Sequence, residues 1–107
     1  MKAIWKFEVT IADDPEIIMP LGAKIISYQS QNGKLYLWAV VDTRDIRDIR
    51  VEKKYTAVEI RKFRIIGTGQ PFEDFEGEYI GSVLNAGFVW HLFELAKEGN
   101  KEKVDKK

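Results

Sequence analysis

The sequence predicts an all-β, mainly antiparallel single domain, built as a six-stranded sandwich or a partly closed roll. Three observations predict it. Trp5, Phe7, Val9 and Ile11 alternate with Lys6, Glu8 and Thr10, Asn32-Gly33 separates two β-rich arms, and Asn85-Ala86-Gly87 separates two more. No βαβ spacing appears, and a doubly wound nucleotide fold is not expected, because parallel strands need long crossovers.

Each element has a local reason. The Trp5–Ile11 alternation is the period of a strand with one wet face. Asp13-Asp14-Pro15 breaks it and Met19-Pro20-Leu21-Gly22 repeats the punctuation, so residues 12–23 read as a loop. Lys24–Gln31 and Lys34–Asp42 form a hairpin through Asn32-Gly33, since both turn residues tolerate positive φ. The second arm is apolar at both parities (Leu35, Leu37, Ala39, Val41 and Tyr36, Trp38, Val40) and is expected to be central and covered on both faces. Residues 43–54 admit a short helical turn that would put Ile46 and Ile49 on one face, or an excursion of the strands. Tyr55–Ile66 reads as a strand closed by Gly67-Thr68-Gly69-Gln70-Pro71. Gly77–Leu84 and Phe88–Leu95 flank a three-residue connection with Gly87 in a left-handed bulge. Residues 1–96 make up the domain, and 97–107 read as a charged, disordered tail.

With 107 residues, the chain can bury about two thirds of its unfolded surface, enough for a core without staples. Zero cysteines remove disulfide and thiolate-metal chemistry. No apolar run reaches membrane-span length, Lys2 and Lys6 interrupt any leader-like core, and a reducing interior is the expected location. Seventeen Lys and Arg balance seventeen Asp and Glu, but the charge is sorted along the chain. Residues 43–66 carry eight cations against four carboxylates, whereas 67–95 carry five carboxylates and no cation. Interleaving within the basic stretch, and acidity after it, make nucleic acid an unexpected partner.

Candidate residues are few. His91, the one histidine, lies in the apolar run Phe88–Phe93 and reads as a satisfied or interface residue. Alone it makes no zinc site, and no metal or cofactor is expected. It has no nucleophile-turn serine beside it, so no catalytic residue is assigned. Gly67-Thr68-Gly69 suits a turn or close backbone contact with a ligand, and it lacks the Lys-Ser/Thr of a phosphate loop. Glu73, Asp74 and Glu76 read as an acidic docking loop without the pattern of a calcium site, and Arg44, Arg47 and Arg50 as the basic counterpart. Three Trp, four Tyr and six Phe exceed what one face of a small sheet hides. Tyr36, Trp38 and Trp90 are therefore candidate interface or ligand-lining residues, and a homo-oligomer is expected.

Met19-Pro20-x-Gly22-Ala23-Lys24-Ile25-Ile26, Gln31-Asn32-Gly33, Leu37-Trp38-Ala39-x-Val41-Asp42, Phe63-Arg64-Ile65-x-Gly67-Thr68-Gly69-x-Pro71, Tyr79-Ile80-Gly81-Ser82 and Trp90-His91-x-Phe93-Glu94 follow one another in that order. In this the chain resembles a family of small uncharacterised tailed-phage and prophage proteins over most of residues 1–95. It departs from them by a longer stretch between Asp42 and Phe63 and a longer charged tail. The resemblance implies phage origin and expression in the cytoplasm of a bacterial host, and it implies no activity.

The functional expectation is a non-enzymatic, phage-encoded binding module, a host-takeover or anti-defence factor that occupies a host protein or sequesters a small host ligand. A structural or assembly component of a phage particle is the alternative.

Overall fold

The computed structural model describes residues 1–42 and 57–97. Seven strands run in chain order: β1 Lys2–Val9, β2 Glu16–Pro20, β3 Lys24–Gln31, β4 Lys34–Asp42, β5 Val58–Gly67, β6 Gly77–Asn85 and β7 Phe88–Leu95. They form two antiparallel sheets, β1-β4-β3 and β2-β5-β7-β6, packed as an open sandwich. The described residues contain no helix. The possible helical turn at 43–54 lies outside the described residues, as do Arg44, Arg47 and Arg50 and the tail beyond Lys97.

Period-two alternation builds the core. Val9, Leu35, Leu37, Ala39 and Val41 from one sheet meet Ile17, Met19, Phe63, Ile65 and Leu92 from the other. Leu37, Met19, Phe63 and Leu92 are fully buried. The sheets also touch along one side, where β3 passes β6: Ser30 Oγ donates to Asn85 Oδ1 at 2.8 Å, and Tyr28 Oη donates to the Trp90 carbonyl at 3.4 Å. Gly81 permits that approach, because a Cβ there would stand 3.3 Å from Tyr28 Cδ2.

Three details differ from the sequence reading. The expected loop at 12–23 contains β2, which makes seven strands where six were expected. Glu16, Ile17, Ile18 and Met19 alternate out and in, and Pro20 is tolerated because β2 is an edge strand paired only with β5. The Asn85-Ala86-Gly87 connection is a two-residue turn, since Asn85 pairs with Phe88 and both Ala86 (φ 53) and Gly87 (φ 84) are left-handed. This matches the Asn32-Gly33 turn, with φ of 53 and 81. Finally, β4 is central as expected, but the described residues seal it on one face only, with Tyr36, Trp38 and Val40 half-buried on the other.

Candidate functional site

The hydrogen-bonding side chains that converge on a groove belong to the outer face of the four-stranded sheet. In β7, Leu92 points into the core, so His91 and Phe93 point outward. The β5–β6 connection begins with a turn in which Gln70 N donates to the Gly67 carbonyl at 3.0 Å and Gln70 Oε1 accepts from Gly67 N at 3.0 Å. Gly69 takes φ 89, and Thr68 N donates to the Val89 carbonyl at 3.1 Å. This pins the Thr68 hydroxyl 2.8 Å from His91 Nε2. On the other side, Ser82 is the cross-strand partner of His91, and its Oγ lies 2.7 Å from Nδ1.

Tyr79 extends the chain, with its Oη 2.6 Å from Ser82 Oγ. Residues three apart on a regular strand face opposite ways. Here the register slips between Tyr79 and Gly81, and the extra residue brings Tyr79 and Ser82 to the same face. The result is a continuous line Tyr79–Ser82–His91–Thr68. Beside it runs an aromatic series: Tyr79–Phe93 at 5.5 Å, Phe93–Phe75 at 5.3 Å and Phe75–Phe72 at 5.8 Å between ring centroids. The Arg64 guanidinium lies 4.9 Å from the Phe75 ring centre and forks onto Asp14 at 2.7 and 2.6 Å. That pairing holds the Asp14 carboxyl below its ordinary range.

A groove of about 240 Å³ opens here, lined by Gly67, Thr68, Gly69, Gln70, Phe72 and His91. Phe72 is 57% exposed at its rim, and Glu73, Asp74 and Glu76 follow it on the exposed loop. Both imidazole nitrogens meet hydroxyls, and among the described residues neither meets a carboxylate. An imidazolium formed during proton abstraction from Ser82 would therefore lack the anionic neighbour that stabilises it in a nucleophile–base–carboxylate triad. What the arrangement does offer is a fixed polar edge beside an apolar wall.

A larger cleft of about 500 Å³ lies where the two sheets part, and its charges are spent on one another. Arg61 Nε and Nη2 donate to Glu94 at 2.7 and 2.9 Å, and Nη1 donates to the Ala23 carbonyl. Glu59 accepts from Lys97 at 2.7 Å and from Gly22 N at 3.1 Å. The Lys97 hydrogen bond holds the Glu59 carboxyl below its usual range, and the Glu94 pairing raises the Arg61 guanidinium. This network closes the end of the sandwich. Among the described residues no cluster of three or more metal-ligating side chains occurs.

Of the sequence candidates, the fold unites His91 with Gly67, Thr68 and Gly69; Glu73 and Asp74 follow Phe72 on the exposed loop, whereas Glu76 lies at the other end of β7, its carbonyl accepting from Ala96 N. The fold separates Tyr36 and Trp38, which lie on the outer face of the other sheet, and Trp90, which turns inward and leaves its buried Nε1 without a partner. These three aromatics therefore cannot line one pocket within a protomer. Sequence reasoning missed Ser82 and Tyr79. A three-residue connection pairs Leu84 with Phe88 and sets Ser82 opposite Trp90, whereas the two-residue turn sets it opposite His91. The signal was the turn itself.

Comparison with curated proteins and with solved structures returned no match. The match that exists is to a family model covering residues 1–103, and with it the chain belongs to the family described as Domain of unknown function (DUF7352).

Proposed function

We propose that this protein is a non-enzymatic binding module of phage origin that docks on a host protein through the groove beside His91. The observation that carries the reading is the line Thr68–His91–Ser82–Tyr79, pre-organised by 2.6–2.8 Å hydrogen bonds along the wall that exposes Phe72. Small-molecule sites occupy about 300–1,000 Å³. At about 240 Å³, the groove suits one inserted side chain better than a sequestered metabolite. Exposed Glu73 and Asp74, which follow Phe72 on the loop, suit a partner with a basic rim, because complementary charge speeds and orients encounter. Phage origin rests on the resemblance of the residue strings.

We also propose that copies self-associate. Ile18, Val58 and Ile60 are 65%, 55% and 59% exposed on the outer face of β2 and β5, with Leu21 62% exposed beyond them. A second copy covering that strip would bury it, and static light scattering would give a multiple of 12.4 kDa.

The functional test is affinity capture from bacterial lysate with the wild type, Phe72→Ala, and the charge reversal Glu73→Lys with Asp74→Lys. The reading expects a protein held by the wild type and lost from both variants. Equal capture by all three would contradict it.

A further inference from the structure

The other outer face, that of β1-β4-β3, carries a different chemistry. Outward residues are fixed by the register: Lys2, Ile4, Lys6 and Glu8 on β1; Lys34, Tyr36, Trp38, Val40 and Asp42 on β4; Lys24, Ser27, Gln29 and Gln31 on β3. Four lysines meet two carboxylates, Glu8 and Asp42, so the face is net positive. The uninterrupted acidic stretch beginning at Gly67 lies on the other sheet, away from this surface.

At the centre of the face, Tyr36 and Trp38 sit two residues apart on the middle strand, with ring centroids 6.0 Å apart. Lys6 Nζ rests 4.4 Å from the Tyr36 ring centre and donates to Gln31 Oε1 at 2.8 Å. Lys6 thus covers one face of the Tyr36 ring and leaves Trp38 as the stacking surface. Ser27 flanks Trp38, and Gln29 flanks Tyr36 as an exposed amide able to both donate and accept.

We propose that this face binds single-stranded nucleic acid. A base would stack on Trp38 beside the Lys6–Tyr36 pair, and Lys2, Lys6, Lys24 and Lys34 would take the phosphates. Stacking on aromatic side chains tolerates any base, and a row of lysines follows a backbone without reading sequence. In a duplex the base faces are already stacked, so the rings gain nothing there. With three or four phosphates neutralised, single-strand affinity falls about 20- to 50-fold between 50 and 200 mM salt.

The test is fluorescence anisotropy with labelled 12-mers of oligo-dT and oligo-rU and with a 12-bp duplex, all at 50 mM salt. The wild type, Lys24→Glu/Lys34→Glu, Trp38→Ala and Phe72→Ala are compared, with circular dichroism reporting the fold. The two lysines are exposed, so their reversal leaves the core intact. Expected are saturable binding of single strands in preference to the duplex, the salt dependence above, at least tenfold loss in the lysine variant, and no loss in Phe72→Ala. That last variant separates this face from the groove near His91. Three outcomes would overturn the proposal: no single-strand binding by the folded wild type, equal binding of the duplex, or unchanged affinity in the lysine variant. A particle mass that rises at low salt, is abolished by the lysine reversal and occurs without oligonucleotide binding would instead assign the face to the acidic surface of a second copy.

Discussion

Ser82 and His91 stand opposite each other across the β6–β7 ladder, with Oγ 2.7 Å from Nδ1, and the same oxygen lies 2.6 Å from the Tyr79 hydroxyl. The expected donor chain runs from the phenol of Tyr79 to Ser82, from Ser82 to Nδ1, and from Nε2–H to Thr68. Nitrogen-15 NMR at pH 8 should find the Nε2–H tautomer of His91. In Ser82→Ala that preference should weaken, and a dominant Nδ1–H form in the wild type would reverse the assigned direction.

The two hairpin turns respond oppositely to substitution. Ala86 holds φ 53, a conformation that costs a residue with a Cβ roughly 1–2 kcal/mol. Asn tolerates this region, so Ala86→Asn should stabilise by about 1 kcal/mol and raise Tm by about 4–8 °C. Gly33 is already suited to its φ of 81, and Gly33→Ala should destabilise by about 1–2 kcal/mol. Calorimetry on the pair checks both signs.

Where the two sheets part, Arg61 pairs with Glu94 beside the buried Phe63, the cross-strand partner of Glu94. The Arg61 and Glu94 side chains are 11% and 16% exposed. Removing Arg61 strands Glu94, and Arg61→Ala should cost about 2–4 kcal/mol after allowing for residual solvent contact. Arg61→Met with Glu94→Met should recover to within about 1–2 kcal/mol of the wild type, since apolar replacement of a shielded pair is often neutral. Urea denaturation midpoints at constant m-value give both numbers.

Acid should weaken the fold through Glu59 and Asp14. Both carboxyls are lowered in the folded chain, Glu59 foremost by the Lys97 hydrogen bond and Asp14 by that from Arg64. Their contribution is therefore present above the unfolded values, 4.5 and 3.8, and is lost as pH falls through the folded ones. At the alkaline end, burial raises the Tyr28 phenol above its ordinary 10, so its contribution is full below that pH and is lost as pH rises through the folded value. Thermal melts of Glu59→Gln should show a flatter acid limb than the wild type.

Much of the fold was legible because alternation is a strong signal. The alternation of Trp5, Phe7 and Val9 is that of β1, which stops at Val9 short of the expected Ile11, and the two hairpins follow from their turn residues. What escaped depended on partners distant in sequence. Ile17 and Met19 were overruled by Pro15 and Pro20, yet β2 holds its place through Ile18 opposite Ile60 and Met19 opposite Glu59. His91 and Gly67–Gly69 were singled out separately, and the β5–β7 register joins them, pairing Ile66 with His91. Ser82 and Tyr79 required a turn length and a bulge, each worth one residue of register, and a one-residue error moves every side chain to the wrong neighbour. Arg61 looked like one more cation in a basic stretch, because spacing alone does not show that Glu94 arrives from β7 to meet it.

The most direct measurement of the central claim is in-cell photo-crosslinking from a photoreactive phenylalanine analogue placed at position 72, with position 26 on β3 as the control. The account predicts one dominant host-protein adduct from position 72, absent from position 26 and lost when Glu73→Lys and Asp74→Lys are added. Adducts of equal yield from both positions, or none from position 72 in a folded protein, would contradict it.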